Sequence, residues 1–280
     1  MEGWVRPPAV AGAFYPDDPE ELRAALDTAF TLARGSSDVG PQPKALIVPH
    51  AGYAYSGPVA ASAYRALKAA EGIRRVVLLG PSHFVPVEGL ASSTAGGFRT
   101  PLGVIPVDDG TLEALSSTPG CALDDRPHAG EHSLEVQLPF LQRSLGTFSI
   151  VPLLAGRARP EDVARGLEAV WGGRETLLVV STDLSHYLPA AAAAARDRRT
   201  AETIVALGHA AIGERDACGV SPLRGLLLAA SWHGLWVTEL DLRNSGDTAG
   251  TVDRVVGYGA FALREAEQRG PSDLLQQVHE

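Results

Sequence analysis

Three short runs of Val, Leu and Ile lack polar alternation, within residues 44–49, 74–80 and 176–181. Each gives way to a polar tip that carries a histidine: Pro49-His50, Pro81-Ser82-His83 and Ser181-Thr182-Asp183-Leu184-Ser185-His186. Runs of this kind fit strands buried on both faces, the habit of a parallel sheet. Residues just past the carboxyl ends of such strands line the crevice where open α/β sheets bind ligands. If the three strands are neighbours, their histidines converge.

The pattern between these runs alternates helix and strand. Asp17-Asp18-Pro19-Glu20-Glu21 opens a helix that continues to about Arg34, because Asp can cap, Pro suits the first turn and the acids face the positive dipole end. Residues 35–41 read as a loop. Ser56-Gly57-Pro58 starts a helix through about Ala70, which makes a β-α-β unit with its flanking strands. Residues 87–107 read as two extended segments around Gly96-Gly97 and Pro101-Leu102-Gly103. Glu131 to Leu145 predicts an amphipathic helix with Leu134, Leu138, Leu141 and Leu145 inward, open to a kink at Pro139. A strand over 148–154, helices over 160–171, from Ala190 onward and over Pro222–Trp232, and late strands Leu235–Leu242 and Val255–Leu263 complete the alternation. There is no repeat of fixed period. The expectation is a single α/β domain over 1–280, a central mostly parallel sheet with helices on both faces, and a C-terminal tail over about 265–280.

At 280 residues and 45% hydrophobic the chain can bury a sizeable core. A net charge of −9 argues against a broad phosphate-binding surface and so against nucleic acid. Local basic spots at Arg196, Arg198 and Arg199 do not change that balance. Cys121 and Cys218 are too few for a disulfide framework, and Met1-Glu2-Gly3-Trp4 lacks the basic and apolar regions of a secretory leader. No apolar stretch approaches the roughly 20 residues that span a bilayer. A cytoplasmic protein without a membrane partner is therefore expected.

The candidate chemistry sits at the tips. Neutral imidazole is a common metal ligand and general base, so a convergent trio suggests metal chemistry, proton transfer or both. His50 lies in a turn rich in small residues, where Ser56 could cap the next helix and the helix start could hold an anionic group. A lone histidine there would more simply hydrogen-bond within the turn; His83, placed alike one unit later, shifts the balance. Asp183, three residues before His186, can orient that imidazole or cap a following helix. Glu131 and Glu135 would share one helical face, with Glu131 and His132 as groups supporting a site and Glu135 free to be structural. Cys218, just ahead of a predicted helix, is placed where a thiol pKa can fall, although a lone cysteine is usually a small buried hydrophobe. Cys121 and the four tryptophans carry no such pattern.

In order along the chain, Arg6-Pro7-Pro8-Ala9-Val10-Ala11-Gly12-Ala13-Phe14-Tyr15-Pro16, Pro49-His50-Ala51-Gly52-Tyr53-Ala54-Tyr55-Ser56-Gly57, Gly80-Pro81-Ser82-His83, Glu131-His132-Ser133-Leu134-Glu135, Ser181-Thr182-Asp183-Leu184-Ser185-His186 and Cys218-Gly219 resemble the Memo family. Its bacterial and archaeal members are called AmmeMemoRadiSam system protein B. The resemblance covers nearly the whole chain and implies a fold like that of the class III extradiol ring-cleavage dioxygenases, whose iron(II) is held by two histidines and a carboxylate. It implies His50 and His83 as metal ligands and His186, with Asp183, as the acid/base group. Cys218 stands where those dioxygenases have glutamate, and its softer thiolate tilts preference toward copper or zinc, or toward iron with altered redox behaviour. Iron(II) is the first expectation. Tyr53, Tyr55, Ser56, Glu131 and His132 are expected to meet substrate or support the ligands. The leading reading is a mononuclear metal oxidoreductase acting on a small molecule. The alternative is a non-enzymatic module that binds a peptide or an anion in the same cleft. Zinc hydrolysis ranks last, since no His-Glu-Xaa-Xaa-His spacing occurs. The family's name implies a link to a radical SAM protein.

Overall fold

The computed structural model describes residues 4–35, 40–68 and 70–265. The tail expected over about 265–280 thus lies outside the described residues, apart from Glu265. In chain order the elements are β1 (Val5–Arg6), α1 (Pro19–Leu32), β2 (Ala45–Val48), α2 (Tyr53–Tyr64), β3 (Arg75–Pro81), β4 (Leu90–Ser92), β5 (Gly97–Thr100), β6 (Gly103–Pro106), α3 (Asp109–Ser116) and β7 (Cys121–Leu123). They continue with α4 (Arg126–Ala129), α5 (Leu138–Ser144), β8 (Ser149–Ala155), α6 (Pro160–Glu168), β9 (Thr176–Ser181), β10 (His186–Leu188), α7 (Ala190–Val205), α8 (Val220–Trp232), β11 (Trp236–Asn244) and β12 (Val255–Arg264).

The main sheet runs β10-β12-β2-β9-β3-β8-β4-β7, with β11 also paired to β12. Its centre, β2-β9-β3-β8, is parallel throughout, as the unalternating apolar runs require. Antiparallel pairs of β12 with β2 and of β4 with β8 flank that centre. A small sheet, β1-β5-β6, holds the two extended segments expected over 87–107 as an antiparallel β5-β6 pair.

Strand residues divide by parity between two cores. Leu46, Val48, Val76, Leu78, Leu177 and Val179 face a core shared with α1, α2 and α5. Ala45, Ile47, Val77, Leu79, Leu178 and Val180 face the one shared with α6 and α8. Helices therefore cover both faces, and every residue of β2 is buried. At α1 the expected cap forms: the Asp18 carboxylate accepts from Glu20 N–H and Glu21 N–H, while Leu22, Leu26 and Ala29 turn inward.

Two expectations change. Ser56 does not cap α2: the helix starts three residues earlier, with Tyr53 N–H donating to Phe14 O, and the Ser56 hydroxyl donates back to Ala51 O. Nor do residues 131–145 form one helix. Residues 131–134 wrap instead over the tip of β3, because the Glu131 carboxylate collects the N–H groups of His132 and Ser133 and that of His83. A single 3-10 turn, Glu135–Gln137, then leads into α5, where Pro139 sits in the first turn and kinks nothing. Glu131 and Glu135 consequently do not share a helical face. No helix among the described residues is long and apolar enough to cross a membrane.

Candidate metal centre

Because β9 lies between β2 and β3, the three tips meet, and Pro49-His50 and Ser82-His83 flank Ser181-Thr182-Asp183. The wrap over β3 adds His132. The rings of His50 and His83 have centroids 5.2 Å apart, those of His50 and His132 5.4 Å, and those of His83 and His132 stack at 4.6 Å. One nitrogen from each of the three lies within 4.8 Å of those of the other two. The sequence marked His132 only as a supporting group at the start of an expected helix.

Hydrogen bonds fix which nitrogens are bare. The single proton of the Ser181 hydroxyl goes to Ser133 O at 2.6 Å, while Gln137 Nε2 donates to that hydroxyl oxygen at 2.8 Å. The Gln137 amide cannot be reversed, because its Oε1 accepts from Tyr64 Oη–H and its Nε2 also donates to Pro49 O. His50 Nδ1, 3.0 Å from Ser181 Oγ, must therefore be the donor, which leaves Nε2 with a free lone pair. At His83 the Nδ1–H donates to Glu131 Oε1 at 2.9 Å, and a carboxylate can only accept. Nε2 is again bare.

Glu131 is buried, which alone would raise its pKa. Hydrogen bonds from the His83 ring and backbone and from Ser133 N–H outweigh burial and hold it at about 2. Burial, reinforced by the neighbouring imidazoles, pushes the His50 pKa well below 6.5, and burial lowers that of His132. Both are thus neutral at pH 7. His132 Nδ1 is buried without a hydrogen-bond partner although Glu131 Oε1 is 3.2 Å away. Three imidazoles that bring one nitrogen each within 4.8 Å of one another, two of them with bare Nε2 atoms, fit a cation ligated by imidazole.

Cys218 joins through His50. Its Sγ lies 3.2 Å from His50 Nε2 and accepts from Asp183 N–H at 3.3 Å. The expected fall in thiol pKa ahead of α8 does not occur. Burial, helped by the Asp183 charge, pushes it up to about 12, so without a metal the group is a thiol that donates to the bare His50 nitrogen. The expected pairing of Asp183 with His186 also takes another form. The buried Asp183 carboxylate accepts from His50 N–H at 2.8 Å, and His186 Nδ1–H donates to Leu184 O at 2.8 Å. Both residues nevertheless line one cavity of about 680 Å³ with His50, His83, His132 and Cys218.

Tyr53 turns inward, its hydroxyl donating to Val136 O, while Tyr55 is exposed and Ser56 lies buried in α2. None of the three belongs to the cavity wall. Sequence reasoning missed Phe14, whose ring centroid is 4.8 Å from that of His132, and Arg196 and Arg215, which line the cavity. Arg196 stood out only as part of a basic spot on a helix.

A parallel-centred α/β sheet with histidines converging beyond its strand tips defines an α/β protein whose cleft carries a histidine group that could hold a metal ion. The chain belongs to the Memo family: the family described as Memo-like protein matches residues 6–262. A MEMO1 family protein of Methanopyrus kandleri is 40% identical, covering 92% of this chain and 99% of that protein. One of Methanothermobacter thermautotrophicus is 37% identical over 91% of this chain and 98% of its own. One of Aquifex aeolicus is 36% identical over 91% and 97%. The crystal structure of an uncharacterized Escherichia coli K12 protein shares the fold, with a TM-score of 0.51 at 15% identity, covering 78% of this chain and 99% of that one.

Proposed function

We infer that this chain is a mononuclear metal oxidoreductase that uses iron(II), with His50, His83 and Cys218 as ligands and His132 as a further nitrogen donor. One observation carries the reading. One nitrogen each of His50, His83 and His132 lie within 4.8 Å of one another, and Ser181 and Glu131 each hold an Nδ1–H so that the Nε2 atoms of His50 and His83 keep free lone pairs. A nitrogen and sulfur donor set suits iron, copper or zinc and disfavours magnesium and calcium. Bound iron would supply redox and Lewis-acid chemistry, as in the non-haem dioxygenases that the motifs resemble.

The chain's own residues would do the rest. His186, its Nδ1–H held by Leu184 O, keeps Nε2 as the basic nitrogen at the cavity wall, where it can take or give a proton. Asp183 holds the backbone of His50 and, through Asp183 N–H, the sulfur of Cys218, so it sets the spacing of two ligands. Glu131 orients His83 and turns the 131–134 segment that delivers His132.

Anaerobically purified protein should carry close to stoichiometric transition metal, chiefly iron, and His50→Ala should lose it. Reconstitution with cobalt(II) should give a thiolate charge-transfer band that Cys218→Ala abolishes. His132→Ala should shift only the ligand-field bands. Parent protein with no tight metal site, or with metal content unchanged in His50→Ala, would overturn the assignment.

A further inference from the structure

Two arginines reach the cavity that holds the three histidines, although the chain carries a net charge of −9. Arg196 of α7 and Arg215 of the loop before Cys218 both line it. Their positions are linked, since Arg196 Nη1 donates to Arg215 O at 3.5 Å. Arg215 forms no ion pair among the described residues. The acidic neighbour of Arg196 is Asp216, at 3.8 Å, and the other oxygen of that carboxylate is engaged by Gly213 N–H at 2.8 Å. Glu214 also faces the cavity and offsets one of the two charges, and Asp183 lies buried at its floor.

Part of the wall is apolar. Leu184, Leu188 and Ala217 contribute to it, together with Tyr187, 62% exposed at the mouth. The Tyr187 backbone is held at φ 59°, a left-handed conformation costly for a bulky residue, and a third cation, Arg254, stacks on its ring at 5.2 Å. Two guanidiniums beside an apolar wall make a site for an anionic head on an apolar body, because arginine pairs with carboxylate and phosphate through parallel N–H donors.

We propose that Arg196 and Arg215 form an anion subsite that selects small organic acids, carboxylates or phosphates on an apolar or aromatic body, as the ligands of this cleft. The proposal rests on the cavity being the working site, as the metal reading holds, but it does not need the metal. It also places selection next to the centre: Arg215 is three residues before Cys218 on one loop, so a bound anion would bear on the segment that supplies the sulfur.

The test is calorimetric titration of the full chain, as purified without oxygen and again after chelation, with benzoate, phenyl phosphate, inorganic phosphate and neutral benzamide. Benzoate or phenyl phosphate should bind at least about tenfold more tightly than benzamide, and more weakly as salt rises. Which of the two binds better identifies the head group. Arg215→Gln, on an exposed side chain, and Arg196→Gln should each weaken anion binding about five- to tenfold and leave benzamide unchanged. Arg215→Glu should abolish it. Anions that bind no better than benzamide, or an Arg215→Gln variant that binds them as the parent does, overturn the subsite. Inorganic phosphate binding as tightly as phenyl phosphate overturns the apolar half. If the chelated protein binds the anions while no metal can be restored, the subsite stands and the metal reading falls. If metal is held and the anions are ignored, the reverse follows.

Discussion

Glu131 shows how much one side chain decides. Its Oε1 accepts from the His83 ring and from His132 N–H and Ser133 N–H, and its Oε2 accepts from His83 N–H at 2.6 Å. Glutamine in its place offers one accepting oxygen, so its amide nitrogen would face a donor. Glu131→Gln should lower cobalt affinity about 10- to 100-fold, as loss of a group that orients a ligand does. It should also destabilise the fold by about 1–3 kcal/mol through a buried unsatisfied donor. Titration with cobalt and urea unfolding measure the two effects; parental affinity would show that Glu131 does not orient His83. His128 gives the pH dependence away from the ligands. Burial lowers its pKa to about 4, against an unfolded value near 6.5, and its Nε2–H donates to Ala91 O. Between these values the unfolded chain binds more protons, so stability is full above about pH 6.5 and falls as pH drops toward 4. At one pKa unit per about 1.4 kcal/mol, most of roughly 3 kcal/mol is lost by pH 4.5. His128→Gln should therefore lose about 2–3 kcal/mol less than the parent between pH 7 and pH 4.5 in urea unfolding. Parallel losses in the two proteins would contradict this account.

Among elements, those with local causes were legible and those with distant causes were not. The buried strands, the Asp18 cap and the His50 and His83 tips follow from apolar runs and turn chemistry, and the structure has them where the sequence placed them. The wrap at 131–134 depends on His83 N–H, 48 residues away, and no local rule contains that partner. The same holds for Cys218: its place ahead of a helix suggested a lowered pKa, but burial beside Asp183 raises it. Glu135, left structural on the sequence, ties down the segment leading into α1. Its carboxylate accepts from Arg6, from Ala9 N–H and Val10 N–H, and from Tyr15 Oη–H, and it is fully buried. Removing one partner of a buried ion pair leaves an uncompensated charge, so Glu135→Ala should cost about 3–5 kcal/mol. Faster amide exchange at Ala9 and Val10 should accompany it, because their N–H groups lose their acceptor. A loss below about 1 kcal/mol, with exchange unchanged, would mean the segment is held by packing alone.

At the scale of the whole molecule, the candidate metal site lies where the 131–134 wrap and the Cys218 loop press onto the carboxyl end of the sheet's parallel centre, and two glycines set how closely they approach. A Cβ on Gly80 would stand 2.8 Å from Ser133 Oγ and 2.9 Å from Leu134 Cδ2, so the 131–134 wrap seats on β3 only because no side chain is there. A Cβ on Gly219 would stand 2.8 Å from Thr182 Cβ and Oγ1, so the Cys218 loop closes on the β9 tip for the same reason. Each Gly→Ala change overpacks its seam and should cost about 1–3 kcal/mol. The chemical consequences should differ, because the wrap carries His132 and Glu131 while the loop carries the sulfur. In cobalt-loaded protein, Gly80→Ala should shift the ligand-field bands and keep the thiolate charge-transfer band. Gly219→Ala should weaken the charge-transfer band and leave the nitrogen donors in place. Identical spectra in the two variants would mean that both seams relax into one shared distortion, and the centre would then be a property of the sheet end as a unit and not of separately docked donors.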